Sequence, residues 1–496
     1  MFHIRTTKTG SGGTAVQIIR YQNRKMIIIK HLGSTHDKKD LKALKETATL
    51  WIEKTTKQQS LFSNESVSPT LQLKQCQYVG FRYGLIYESL YQLCKLFKFH
   101  RLRNKLLVDL VIARIIEPGS KTQSIEFLKE FMGIEHKRQE LYRQIPRFLG
   151  VKDTVESKVL AVAEKEFAFT FSLIFYDVTT LYFESFESDD LRQCGFSKDN
   201  KFNQPQIVLG LLVTIDGFPV GYQIFEGNKF EGHTLIPVIV EFKHKHKVEN
   251  FTVVADAAMI SDKNITALAS AHLQYIVGAR IANLPLKRIA EISAQLYQRD
   301  GATMRMATEL GDLICEFSAK RFAKDKRELE KQIIKAQELL DNPGSIKKVK
   351  FITSKDQTYT LHTALIEKTK LLLGIKGYYT NLPKSEVSDN IVIEHYHNLW
   401  HVEQAFRIAK SDLQMRPIYH FKQKTIKAHI LICFMALAIC KYMELKTGRS
   451  TKSIVKLLKG VTDAIMVNTL TGEEFTLRSI LIDDVKQLLI KMALLL

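Results

Sequence analysis

Three acidic residues in this chain of 496 residues could carry chemistry: Asp177, Asp256 and Glu403. Asp177 sits in SLIFYDVTTLYFES, a β-branched and aromatic run that reads as a strand, with Phe175, Thr179 and Leu181 on its own face. A carboxylate in such company is costly to bury unless a partner or a metal ion compensates it. Asp256 follows FTVVA, a near-continuous apolar run that reads as a strand covered on both faces. Its carboxylate therefore falls at the strand's carboxyl end, where α/β folds place reactive groups. Glu403 lies on a helix read from EHYHNLWHVEQAFRIAKSDL, in one stripe with Tyr396 and Lys410 at intervals of seven, and Arg407 follows it by four. Carboxylates suit magnesium or manganese, and two such ions ~3.5–4 Å apart can clamp both oxygens of an in-line displacement. Each residue also has a plainer use. Asp177 could bond neighbouring threonines or cap a turn, Asp256 could cap the next turn, and Glu403 could serve i,i+4 charge pairs on a solvated helix. Spacing by itself does not choose.

Composition narrows the partners. Lysine and arginine number 72 against 52 acids, a formal charge of +20, which points to nucleic acid first and an anionic membrane surface second. A lysine-rich proteome would give the same surplus. Hydrophobic residues are 45% and charged residues 25% of the chain, the profile of a globular protein of two to four domains. The six cysteines contain no C-x-x-C pair and read as free thiols of a reducing cytoplasm. MFHIRTTKTGSGGT lacks the apolar stretch of a secretory signal. ILICFMALAIC at 430–440 falls short of the roughly 20 residues of a spanning helix and reads as a buried core helix. No membrane partner is expected.

The elements that must position the acids follow from periodicity. Residues 1–35 predict a small strand pair, and a helix follows to about Lys57. NKLLVDLVIARII, the breaker Glu117-Pro118-Gly119 and a helix capped by Ser120 predict two packed helices, a layout a DNA-reading helix–turn–helix would share. From Phe167, three antiparallel strands with a turn at Asp216-Gly217 precede alternating helices and parallel strands, an α/β pattern. An interruption from about Ile281 to Leu371 includes the charged stretch KRFAKDKRELEKQIIKAQELL, a helix that could lie along a DNA backbone or pair subunits but whose mixed signs favour a solvated face. The pattern resumes with the strand GIKGYYTNL and the helix bearing Glu403. The expected layout is an N-terminal region (1–160), a core in two parts (165–280 and 372–450), an insertion (281–371) and a helical tail (451–496).

With these residues in place, the chain resembles the Asp–Asp–Glu transposases of bacterial insertion sequences, in the insertion sequence 4 superfamily and its 1634 group. That superfamily carries Tyr, two residues, Arg, three residues, Glu, six residues, Lys. Here YHNLWHVEQAFRIAK supplies Tyr396, Glu403 and Lys410, with Leu399 at the arginine position. IFYDVTTLYFE, VVADAAM, RPIYH, KAHILICFMALAI and KHLGSTHD are also similar to that group. The resemblance implies an α/β, RNase H-like core with a β-containing insertion domain and a mainly helical N-terminal DNA-binding region. It implies Asp177, Asp256 and Glu403 as catalytic ligands of two Mg2+ or Mn2+ ions, with Tyr396 and Lys410 at DNA phosphates. It further implies cleavage of the element's inverted ends, transfer of their 3′-hydroxyls to target DNA, and a homodimer or larger assembly on DNA in the bacterial, nucleoid-associated cytoplasm. Leucine cannot hold a phosphate as arginine does, so either Arg407 or another cation covers that role at a DNA phosphate, or the group dispenses with it.

Overall fold

The structure is a computed structural model that describes residues 2–22, 25–56, 76–197, 201–259, 261–341, 350–355, 358–469 and 472–494. The chain folds as two compact units, one of Met1–Leu90, Glu126–Glu135 and Ser453–Leu496, the other of Tyr91–Ile125 and His136–Lys452.

The first unit opens with β1 (Phe2–Lys8), β2 (Thr14–Gln22) and β3 (Lys25–Thr35), an antiparallel sheet in that order. This corrects the expected strand pair. Thr9–Gly13 closes a hairpin, with Gly12 at φ +82°, and so creates a first strand from the polar stretch FHIRTTK. Helix α1 (Lys38–Thr56) sets Leu44 and Ala48 on Val16, Ile18 and Leu32. Strand β4 (Cys76–Arg82) then leads into α2 (Gly84–Leu96).

Helix α3 (Lys105–Ile116) is capped by Asn104, whose side chain accepts from Leu107 N–H at 3.1 Å. Ser120 and Gln123 then bond each other's backbone N–H groups, at 3.2 and 2.9 Å, and open α4 (Lys121–Met132) as a capping box. Every residue of α3 from Leu106 to Ile116 is buried, and α4 exposes Glu126 and Glu130 beside Lys129. The buried faces of α3 are met by the later helix Gln423–Thr447. Helices α5 (Arg138–Leu149) and α6 (Lys152–Phe167) precede the main sheet.

That sheet begins with the antiparallel strands β5 (Leu173–Tyr182), β6 (Gln206–Val213) and β7 (Pro219–Glu226). The β6–β7 turn ends on Gly217 at φ +76°. Helix α7 (Leu235–His246) crosses to β8 (Thr252–Ala255), and α8 (Asp262–Ser270) to β9 (Gln274–Ala279). β8 lies between β5 and β9, parallel to both, and is buried throughout, which is why TVVA has no polar alternation.

The segment 281–371 is divided between two places. After α9 (Leu286–Leu296), β10 (Thr303–Thr308) and β11 (Gly311–Phe317) join the main sheet. Helix α10 (Ala319–Asp341), the hairpin β12 (Ile352–Lys355) and β13 (Thr358–Leu361), and α11 (Thr363–Leu371) gather around Leu329, Ala336, Phe351 and Ile366. Strand β14 (Ile375–Thr380) pairs antiparallel with both β11 and β9. The eight-stranded order is β10-β11-β14-β9-β8-β5-β6-β7.

Helices α12 (Asp389–His397) and α13 (Trp400–Arg407) follow, then a π turn at Ile408–Asp412. Helix α14 (Gln423–Thr447) is apolar all round and packs on α3, α5 and β7. Its 25 residues exceed the short apolar run seen in the sequence and would suffice to cross a membrane. Yet 94% of its most apolar stretch is buried inside the protein.

The expected helical tail is corrected as well. After α15 (Thr451–Lys459), the chain forms β15 (Asp463–Asn468) and β16 (Glu474–Arg478) before α16 (Asp483–Lys491). DAIMVN and EFTLR are too short for their alternation to stand out, and β4 completes their sheet from far away in sequence, in the order β16-β15-β4. Arg478 fixes it with bonds of 2.7 and 2.9 Å to Asp463 and of 2.8 Å to each oxygen of Glu88.

Candidate active site

Asp177 is the one interior position of β5 that is not fully buried. The parallel ladder between β5 and β8 ends with Tyr176 opposite Ala255, so Asp177 and Asp256 follow side by side on adjoining strands. Both carboxylates are oriented in the same way. Oδ1 of Asp177 accepts the N–H of Val178 at 2.7 Å, and Oδ1 of Asp256 accepts that of Ala257 at 2.7 Å. β8 stops at Ala255 because the next residues wind into a short 3-10 turn, Ala257–Met259.

Tyr396 on α12 is buried and donates its hydroxyl to Oδ1 of Asp256 at 3.0 Å. Burial, then the charge of Asp256 and that of Asp177, pushes its ionisation well above the ordinary tyrosine range. The approach requires Gly278 on β9. A Cβ there would stand 2.5 Å from the Tyr396 hydroxyl oxygen and 3.0 Å from the Ala257 nitrogen. Beside the ring, Tyr378 packs with its own ring tilted by 54°, at 4.7 Å between centroids. The Tyr378 hydroxyl donates to Glu316, and Nε2 of His397 lies 3.0 Å from the same Glu316 oxygen.

The single helix expected to carry Tyr396, Glu403 and Lys410 is broken. Asn398 and Leu399 separate α12 from α13, and Lys410 falls in the π turn, so the three do not share one uniform stripe. At the break Leu399 is only 7% exposed, with its backbone still in the helical region. Glu403 and Arg407 remain one turn apart on α13, both exposed, and α13 packs on β5 and β6. Lys410 is half-buried.

A residue that sequence reasoning passed over links these parts. Lys376 of β14 places its ammonium 4.5 Å from the Tyr396 ring centroid. Burial, then the neighbouring Arg321, lowers its proton affinity, while Glu316, Asp256 and Glu403 raise it. Asp256 and Glu403 thus act on the same cation. Lys376, Arg321, Tyr396 and Asp256 line one cleft of about 270 Å³. In sequence Lys376 is one lysine in a strand, with no local signal. Gly278, a glycine inside a strand, could have been read as a close approach.

The donor set is all oxygen, which suits magnesium or manganese. Two of its members are neighbours on parallel strands. Among the described residues, however, no three His, Cys, Asp or Glu side chains are grouped so that they could hold one metal ion. Asp177 and Asp256 are brought together, and Glu403 stands in the same electrostatic neighbourhood without joining them in one shell.

No curated protein matches the chain. Among solved structures, a piggyBac transposase synaptic complex with hairpin DNA is similar at 9% identity and a TM-score of 0.35. The match covers 62% of this chain, which spans only 58% of that one. The sequence of the sheet that carries Asp177 and Asp256, with the helices through α13 and most of α14, is matched by the family described as Transposase DDE domain over residues 170–439, and the chain belongs to that family.

Proposed function

We propose that this protein is a DNA transposase that cuts the inverted ends of its own insertion sequence and transfers the freed 3′-hydroxyls to target DNA. The observation that carries the reading is the placement of Asp177 on β5 and of Asp256 directly after the neighbouring parallel strand β8, in a chain of the DDE family. The strand order β7-β6-β5-β8-β9, three antiparallel strands followed by two parallel ones, supports an RNase H-like core. The +20 charge supports a polyanionic partner.

In this reading Asp177, Asp256 and Glu403 hold two magnesium or manganese ions. When bound, these ions supply an activated water or 3′-hydroxyl and stabilise the departing oxygen. Tyr396 holds Asp256 in orientation, so its contribution is positional rather than a direct grip on phosphate. Arg407, exposed one turn from Glu403, is placed to meet a phosphate, and Lys410 is assigned the same role from the family signature. Cutting and joining two ends in concert requires a homodimer or larger assembly on the DNA, working in the bacterial cytoplasm at the nucleoid.

The test uses the purified chain, duplexes carrying the repeats that flank its gene, and a target plasmid. Magnesium-dependent nicking at the repeat boundary followed by joined product is the expected result. Nicking without joining would make the protein a nuclease of related fold. Salt-sensitive binding without cutting, even of a correct end, would make it a DNA-binding descendant.

A further inference from the structure

Helix α10 carries Lys320, Lys324, Arg327 and Lys331 at spacings of four, three and four, which confines them to one narrow stripe of its surface. All four are exposed, and they border a shallow hollow of about 390 Å³. Of the acids nearest the stripe, Asp325 turns to Arg321, while Glu328 lines the hollow together with the four cations. Asp325 faces Arg321 at 3.4 Å, and Glu328 accepts from the Gln332 amide at 3.2 Å. Among the described residues these four cations make no ion pair, and the hollow sets four positive charges against the single acid Glu328.

At its N-terminal end the same helix delivers Arg321 into the cleft lined by Lys376, Tyr396 and Asp256. Lys376 lies on the Tyr396 ring at 4.5 Å and the Tyr378 ring at 5.6 Å, and no ion pair to its ammonium is formed among the described residues. Positive side chains thus continue from an exposed helix face, through Arg321 (paired with Asp325), to Lys376 in the cleft beside Asp256. At ~1.5 Å rise per residue the stripe spans ~16 Å. That length matches about four or five phosphates of one strand at ~3.4 Å each along the duplex axis.

We propose that the Lys320–Lys324–Arg327–Lys331 face of α10 is a track for the phosphate backbone of duplex DNA, leading into the Lys376–Arg321 cleft beside Asp256. The role of the cleft rests on the transposase reading; the binding itself does not. Fixed positive charges at helical spacing neutralise phosphates without reading bases, so the contact is sequence-independent and salt-sensitive.

The test is a salt titration of the full-length protein against a fluorescein-labelled duplex in EDTA, where no cutting occurs. The variant K320Q/K324Q/R327Q/K331Q keeps helix propensity while removing the charges. Its affinity is expected to fall roughly tenfold or more, and the slope of log K against log salt to shrink by about 3–4. Lys376→Gln should shrink the slope by about 1. Lys326→Gln, on another side of α10, should change neither quantity. The doubles K320Q/K324Q and R327Q/K331Q, each with a slope loss of about 2, keep the test usable if the fourfold variant unfolds. An unchanged slope in the doubles overturns the track, and an unchanged slope in Lys376→Gln overturns its path into the cleft. Unchanged DNA binding with an altered sedimentation coefficient makes the stripe a contact between copies and also overturns it. The two readings fail separately. A wild-type chain that never cuts DNA in magnesium, yet shows the charge-dependent slope, loses the transposase assignment and keeps the track.

Discussion

Tyr396 donates its hydroxyl to Oδ1 of Asp256 across 3.0 Å, joining residues 140 positions apart in the chain. The bond ties α12 to the end of β8 and leaves the Asp256 carboxylate with one oxygen doubly engaged, by this hydroxyl and by the Ala257 N–H. Tyr396→Phe keeps the ring that carries Lys376 and removes only the bond. Metal-dependent cleavage should fall roughly tenfold, and stability should drop by about 1 kcal/mol in urea unfolding. A fully active Phe variant would free Asp256 from any need of this tyrosine.

Asp177→Asn, Asp256→Asn and Glu403→Gln each keep the side chain's size and remove its charge. Cleavage should fall by roughly 100-fold or more in every case, with duplex binding in EDTA unchanged. Cleavage assays on pre-annealed ends check this. Wild-type rates from the Glu403 variant would remove it from the site and leave the two aspartates to a different third partner.

Gly278→Ala is the sharpest packing test. The added methyl would stand 2.5 Å from the Tyr396 hydroxyl oxygen and 3.0 Å from a backbone nitrogen, so something must move. A cost of about 1–3 kcal/mol is expected, with loss of cleavage beyond that of Tyr396→Phe because Ala257 is displaced along with the tyrosine. Thermal unfolding and cleavage rates measured on both variants give the comparison.

Acid should weaken the fold through a cluster of buried bases. Burial, with Lys121 and Arg114 nearby, holds His420 down at about 3 and His429 well below its ordinary 6.5. Below 6.5 the unfolded chain takes up these protons while the folded chain does not, so stability declines as the pH falls toward 3. Lys121, lowered by burial from 10.5 to about 7, acts with the same sign across its own window. The urea midpoint should therefore drop between neutral and mildly acidic pH. His429→Gln, whose amide can still donate to the Met415 carbonyl, should flatten part of that drop. A midpoint that rises on acidification would show that other groups dominate.

Much of the architecture was legible because its signals are local. TVVA had to be a strand covered on both faces, Ser120 had to cap α4, and the apolar run at 430–440 had to be buried, since each follows from the residues within a turn or two. Asp177 and Asp256 were legible for the same reason: a carboxylate inside or at the end of an apolar strand is conspicuous wherever the strand is placed.

What only the tertiary structure decided depends on long-range pairing. FHIRTTK became a strand because a turn at Gly12 folded it onto β2, and DAIMVN because β4 returned to it from nearly four hundred residues earlier. The interruption at 281–371 gave two strands to the main sheet because β14 offered β11 an open edge. The helix carrying Glu403 looked continuous in sequence, yet it is interrupted at Asn398 and Leu399, between Tyr396 and Glu403. Lys376 became part of the cleft only when β14 was laid beside β9. Periodicity records which face of an element is apolar, but neighbours across a sheet are chosen by the packing of the whole chain, and no window of sequence contains that choice.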